Sequence, residues 1–236
     1  MGSSRLPGKM LTDLNGLDLL GRVVENLKKV QQVNSLIVAT STNKIDDALE
    51  NRCKELDVHC FRGSESDVLS RYYHAAAKYK LDTIIRIPGD NPFILPSLVD
   101  DCIAEWNSQS VDYLSNILEN TFPIGMHVEI FTFQTLEGAY QEAVSDIDRE
   151  HVTPYIYNSD KFKLFNVRSE TDYSSYRLTI DYPEDIMFSR KLLDLIDLDC
   201  TYDVADLVRL IDDVPDLKKI NSSYWKEQSI KLDISD

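Results

Sequence analysis

The stretch GSSRLPGK, Gly2 to Lys9, concentrates what a phosphate-holding loop needs. Gly2, Ser3, Ser4 and Gly8 offer backbone and hydroxyl donors, while Arg5 and Lys9 bring positive charge. Its spacing departs from the GxxxxGK[ST] pattern, because Met10 follows Lys9, so a P-loop NTPase is not supported. The letters MGSS also open many affinity tags, although nothing tag-like follows them here. Two aspartates complement the loop. In IIRIPGDNP, Asp90 stands one residue past a Pro-Gly turn at the end of an apolar run. In LTIDYPEDI, Asp181 ends a second such run, and Pro183 opens a helix with Glu184 and Asp185 in its first turn. Separately, each aspartate reads as a turn residue or a helix-capping arrangement. Brought to one sheet edge, the pair could share Mg²⁺ with substrate phosphates, because Mg²⁺ is usually held by one or two carboxylates plus phosphate oxygens.

Other groups carry weaker signals. Arg62 and Gly63 leave an apolar run just before a helix that Ser64 and Asp67 could cap, and Arg62 and Arg71 are extra cations for a phosphate or carboxylate. His151 lacks a nucleophile in a recognisable order, and no HExxH or zinc spacing occurs.

These groups need a scaffold that gathers distant strand ends. Apolar residues from Leu17 to Val30 recur at helical spacing, and SLIVAT follows as a short apolar strand. NKIDDALENRCKEL and SDVLSRYYHAAAKY predict helices on either side of a strand at VHCF, and TIIRI predicts the next strand. Further on, HVEIFTF, FKLFNV and RLTI read as strands, followed by helices from Pro183 to about Ile196 and across DVADLVRLI. Strands alternating with amphipathic helices predict an α/β fold, a three-layer α/β/α sandwich on a mixed, mostly parallel sheet. In such sheets ligands bind beyond the carboxyl ends of the strands, which singles out VATSTN, RIPGDNPFI and RLTIDYPED.

The chain's 236 residues suit one α/β domain, and 43% hydrophobic with 28% charged residues describes a globular protein. A formal net charge of −15 argues against nonspecific nucleic-acid or anionic-membrane binding, yet leaves room for a nucleotide substrate. No apolar run approaches the length of a membrane span, and the opening residues do not follow a signal-peptide pattern. Four scattered cysteines without a CxxC pair suit a reducing, cytoplasmic setting.

MGSSRLPGK, VATSTN, FRGSESDVLSRYY, RIPGDNP, GMHVEIF, DREHVTPYIY and RLTIDYPEDI follow one another in an order that resembles the spore coat polysaccharide biosynthesis protein F family. That family is similar to the cytidylyltransferases that make CMP-activated acidic sugars, and the likeness runs from Met1 to about Leu193. It implies the nucleotide-diphospho-sugar transferase fold over a single domain, residues 1–236. It also implies transfer from CTP to a sugar, expected to be a sugar acid, giving a CMP-sugar and pyrophosphate, in surface or spore-coat polysaccharide biosynthesis. A homodimer is compatible with it. On the same ground the Gly2–Lys9 loop would bind nucleotide, with Arg5 and Lys9 on the CTP phosphates, Asp90 and Asp181 on Mg²⁺, and Ser41 and Thr42 near base or ribose.

The sequence departs from the family in three places. The family's loop follows a short apolar first strand ending in Ala-Arg, which this sequence does not contain, so the sheet is expected to lack it. Asn91-Pro92-Phe93-Ile94-Leu95 replaces a usual Cys-Pro-Leu-Ile-Asp, and His127 stands where aspartate is common, leaving the acceptor unspecified. Two other readings stay open: a glycosyltransferase using a nucleotide-sugar donor, and a non-catalytic nucleotide-binding subunit.

Overall fold

The computed structural model describes residues 5–197 and 200–224. The first half alternates helix and strand: α1 (Leu19–Leu27), β1 (Ile37–Ser41), α2 (Asp47–Glu55), β2 (His59–Gly63), α3 (Val68–Tyr79) and β3 (Thr83–Arg86). Then come α4 (Pro96–Ser108), β4 (Tyr113–Ser115), β5 (Glu129–Thr132), α5 (Phe133–Glu142), α6 (Asp146–His151), α7 (Pro154–Asn158) and β6 (Leu164–Asn166). Helices α8 (Pro183–Leu193), α9 (Val204–Asp212) and α10 (Pro215–Lys219) follow.

Strands β1 and β2 form a parallel pair, and the others form a sheet of order β3-β5-β4-β6. Within it β5 runs antiparallel to both neighbours, while β4 and β6 are parallel. Among the described residues the pairing is mixed, with β5 inserted antiparallel between β3 and β4. Period-two alternation sends side chains to opposite faces. Leu114 and Ile130 join the core under α4, α8 and α9, whereas Ile84, Tyr113 and Phe131 join the core under α3 and α5. A third cluster packs α1 and α2 against the β1–β2 pair through Leu20, Val24, Leu49 and Cys53. The result is three layers, with the strands between two sets of helices.

Two expected strands differ from the observed backbone. HVEIFTF contributes only Glu129–Thr132, because the Thr132 side chain accepts a hydrogen bond from the Thr135 N–H and caps α5. RLTI is not a regular strand but an extended segment joined by an isolated bridge between Ile124 and Arg177. Its backbone is still secured: Leu178 N–H donates to Ile124 O at 2.6 Å, and Ile180 N–H donates to Asp90 O at 3.0 Å. Gly125 (φ 104°) permits this approach, since a Cβ there would meet Thr179 N at 2.5 Å. Among the described residues, β1 pairs only with β2, and β3 only with β5, so the strand layer is interrupted between β1 and β3.

Candidate active site

The bond from Ile180 to Asp90 O brings the two strand-end aspartates together, and Lys9 completes the arrangement. Gly8 (φ 77°) turns the chain into a short 3₁₀ turn, Lys9–Leu11, whose Met10 side chain packs over Gly89. Lys9 Nζ then donates to Asp90 Oδ2 at 2.9 Å, to Asp181 Oδ1 at 3.1 Å and to Ile180 O at 2.7 Å. Burial alone would lower the pKa of Lys9, but Asp90 and Asp181 more than reverse that, so the ammonium stays charged. Arg5 donates to the same Asp181 Oδ1 at 3.2 Å and to the Tyr182 hydroxyl, with its guanidinium over the Tyr182 ring. Arg5 remains largely exposed, free to reach a ligand.

Behind this pair lies a buried anchor. Arg177, 1% exposed, donates to Asp181 Oδ2 at 3.0 Å and to both oxygens of Asp185. Asp185 Oδ2 also accepts from the Asp181 and Tyr182 N–H groups, and Asp185 Oδ1 accepts from Asn221. Asp185 thus caps α8 and fixes the backbone carrying Asp181. Burial pushes the Asp181 carboxyl up, yet Lys9, Arg177 and Arg5 together hold it below the usual aspartate value. Arg5, Lys9 and Arg177 balance Asp90, Asp181 and Asp185, leaving the cluster formally neutral.

The sequence-predicted residues divide accordingly. Arg5, Lys9, Asp90 and Asp181 converge, and Gly8 sets the loop. Gly2, Ser3 and Ser4 lie outside the described residues. Ser41 is committed locally: its hydroxyl and N–H, with the Thr40 hydroxyl, donate to Asp46, which they hold far below the ordinary carboxylate range despite burial. Thr42 is exposed at the end of β1, its N–H bonded to Gly63 O. Arg62 is engaged by Asp47 (2.6 Å), Glu50 (2.9 Å) and the Ser41 and Asn43 carbonyls. It braces the β1 and β2 ends rather than joining the Lys9 cluster. His151 is exposed at the end of α6.

Sequence reading did not single out Arg177, although an arginine heading an apolar run, with carboxylates four and eight residues on, is a usable signal. It also missed a buried network beyond Asp90. Glu129, fully buried, pairs with Arg86 and accepts from the Tyr113 hydroxyl at 2.7 Å and the Thr153 hydroxyl at 2.6 Å. Val152, a β-branched residue at φ 77°, delivers Thr153 to it, a strained placement of the kind found beside functional sites. His127 adjoins this network, and desolvation lowers its pKa, with Glu129 and Asp90 opposing.

The cation-bridged aspartate pair thus sits at the strand ends of a three-layer α/β fold, and the comparisons with known proteins place that fold among the nucleotidyltransferases. The cytidylyltransferase family profile matches residues 1–227, and the chain belongs to that family. It is 39% identical to protein MJ1063 of Methanocaldococcus jannaschii, over 94% of this chain and 91% of that one. It is 32% identical to the spore coat polysaccharide biosynthesis protein SpsF of Bacillus subtilis, over 92% of each. Among solved structures, a cytidylyltransferase from Leptospira borgpetersenii superposes with a TM-score of 0.87 at 35% identity, covering 92% of each chain. CMP:2-keto-3-deoxy-manno-octonic acid synthetase complexed with CTP has the same fold, with a TM-score of 0.61 at 18% identity, over 82% of this chain and 95% of that one. No helix among the described residues is long and apolar enough to cross a membrane.

Proposed function

We propose that this chain transfers a cytidylyl group from CTP to a hydroxyl of an acidic sugar, releasing pyrophosphate, for cytoplasmic synthesis of a surface or spore-coat polysaccharide. The carrying observation is the Lys9 ammonium shared between Asp90 and Asp181, with Arg5 on the same Asp181 oxygen. Family membership and the likeness to SpsF support the cytidylyl donor and the pathway class.

The two carboxylates fit Mg²⁺ on the structure's own terms. They already converge on one cation, the Lys9 ammonium, and the Ile180 carbonyl adds a third oxygen beside it. Mg²⁺ is usually completed by phosphate oxygens and water rather than by a closed protein cage, so two carboxylates would suffice. Asp90 and Asp181 would hold the ion, which when bound neutralises charge on the phosphates. The protein's own part is exchange and positioning. As the triphosphate enters, Lys9 and Arg5 leave the carboxylates for phosphate oxygens, and Arg177 with Asp185 keeps Asp181 aligned. The acceptor oxygen then forms a bond to the α-phosphorus as the bond to the bridging β-phosphate oxygen breaks, and the hydroxyl proton passes to solvent. Lys9 and Arg5 balance the charge developing on the departing pyrophosphate. No covalent enzyme intermediate is needed.

The experiment is pyrophosphate release with CTP, UTP, GTP or ATP against a panel of sugar acids in Mg²⁺. Turnover with CTP and one sugar acid, reduced at least a hundredfold in Asp90→Ala, is the result expected. An Asp90→Ala variant with full activity removes the metal role. CTP binding without turnover leaves a nucleotide-binding subunit, and transfer from a nucleotide sugar with CTP intact leaves a glycosyltransferase.

A further inference from the structure

Tyr182 stands directly after Asp181, and its backbone opens α8, with its N–H donating to Asp185 Oδ2 at 3.0 Å. Its side chain serves the charged cluster. The hydroxyl accepts from Arg5 Nη1 at 3.2 Å, and the guanidinium carbons of Arg5 and Arg177 lie 5.2 and 5.7 Å from the ring centroid. Both distances suit a cation–π contact.

The ring is itself held from far along the sequence. Tyr224 stacks on it, with centroids 3.9 Å apart and planes within 10° of parallel. Tyr224 belongs to a short 3₁₀ turn, Ser222–Tyr224, and its N–H donates to Asn221 O at 3.1 Å. Asn221, fully buried, pins that turn by donating from Nδ2 to Asp185 Oδ1 at 3.0 Å. Residues 221–224 therefore grip the start of α8 at two points, the Asp185 carboxylate and the Tyr182 ring. Both tyrosines are half-buried, so their stack forms the rim of the site rather than part of the core.

This rim bears on Arg5. Its side chain is largely exposed, and an exposed arginine keeps rotamer freedom that binding a phosphate must remove. A fixed ring restricts that freedom beforehand. It also engages the cation through its π face, which leaves N–H edges for another partner. Arg5 can then exchange Asp181 for a phosphate oxygen while staying on Tyr182.

We propose that Tyr182 and Tyr224 form a stacked platform that positions Arg5 for the triphosphate, Tyr224 acting as a positioning residue through Tyr182. This rests on the reading of Arg5 as a ligand for the CTP phosphates, and it adds residues 221–224 to the site.

The test is a double-mutant cycle on binding, followed by calorimetry in Mg²⁺ with two probes, CTP and inorganic tripolyphosphate. Tyr224→Leu keeps apolar bulk without the ring, and Tyr224→Phe keeps the stack without the hydroxyl. Restricting one side chain in advance is worth a factor of about three to ten. Tyr224→Leu should raise the dissociation constant of both probes by about that factor, while Tyr224→Phe stays within about twofold of the unsubstituted chain. In an Arg5→Ala background Tyr224→Leu should add nothing, because its effect runs through the guanidinium. In turnover it should raise KM for CTP and leave kcat at saturating CTP within about twofold.

Unchanged binding in Tyr224→Leu, an equal loss in Tyr224→Phe, or a further loss in the Arg5→Ala background overturns the platform. So does a loss confined to kcat. Where Arg5→Ala binds too weakly to measure, the comparison of leucine with phenylalanine decides. A general loosening of the fold does not imitate the expected pattern, since it would weaken binding with or without Arg5. Coupling seen with tripolyphosphate but no CTP binding removes the cytidylyl reading and keeps the platform. CTP turnover with additive effects does the reverse, and failure to bind either probe overturns both.

Discussion

At the residue scale, the account rests on how charge is arranged around Asp181. Lys9 and Arg5 share one of its oxygens, and Arg177 holds the other from a fully buried position. The first two can leave for a ligand, but Arg177 cannot. Replacing it with methionine strands Asp181 and Asp185 in the interior, and breaking such a buried pair costs about 3–5 kcal/mol. Urea denaturation of Arg177→Met should show a loss of that size, with the midpoint lowered and the slope unchanged. A loss under 1 kcal/mol would mean that the guanidinium contributes no net anchoring. The same cluster sets an acid limb. Asp181 titrates below its unfolded value, so the unfolded chain takes up its proton first as pH falls. The stability Asp181 contributes is complete above about pH 4 and drains away as pH drops through the lowered folded value. An Asp181→Asn variant should therefore be less stable at pH 7 and lose less between pH 4 and pH 2. Parallel stability curves for the two proteins would contradict this reading. Little of the arrangement is visible in the sequence, because nothing local shows that Arg177 is buried or that Lys9 crosses to residues more than eighty positions away. The carboxylates were legible through their strand-end context, whereas Arg62 was misleading, since its spacing resembles a phosphate holder while Asp47 and Glu50 claim it.

At the element scale, periodicity carried the helices well. α1, α3 and α8 lie inside the predicted spans and α9 runs one residue past its own, because each places one apolar face on a core and has a readable start. Asp18, Asp67 and Asp203 cap α1, α3 and α9 with side-chain hydrogen bonds. Asp203→Ala should cost about 1 kcal/mol in thermal or urea unfolding, and no measurable loss would show that the cap is dispensable. Strands were harder, since three or four apolar residues do not reveal where pairing stops. Thr132 is the last residue of β5 in HVEIFTF, and its hydroxyl already starts α5; RLTI looks like strand, yet its pairing is divided between Ile124 and the carbonyl of Asp90. Gly125 permits that division. In Gly125→Ala the added methyl would press on Thr179 N, and φ 104° would be strained. The variant should displace the segment leading to Asp181 and reduce kcat/KM for CTP at least tenfold while retaining a cooperative unfolding transition. Unchanged kinetics would detach this segment from the site.

At the scale of the whole molecule, the three layers gather one edge of a mixed sheet into a charge-balanced cluster of three cations and three carboxylates on a chain of net charge −15. The fold class was legible because alternating strands and helices leave few architectures, and family-specific segments occur in order along most of the chain. Among the described residues, the gap in the strand layer between β1 and β3 emerges only from the packed structure. The acceptor is the least legible part. Equally hidden is the buried network of His127, Arg86 and Glu129, which separate strands and loops assemble. The most direct test of the central claim is pyrophosphate release from CTP and sugar acids, followed with and without Mg²⁺. Release that requires CTP and a sugar acid, stops on chelation, returns with added Mg²⁺ and falls at least a hundredfold in Lys9→Ala is the result predicted. Turnover that survives both chelation and loss of Lys9 would contradict it.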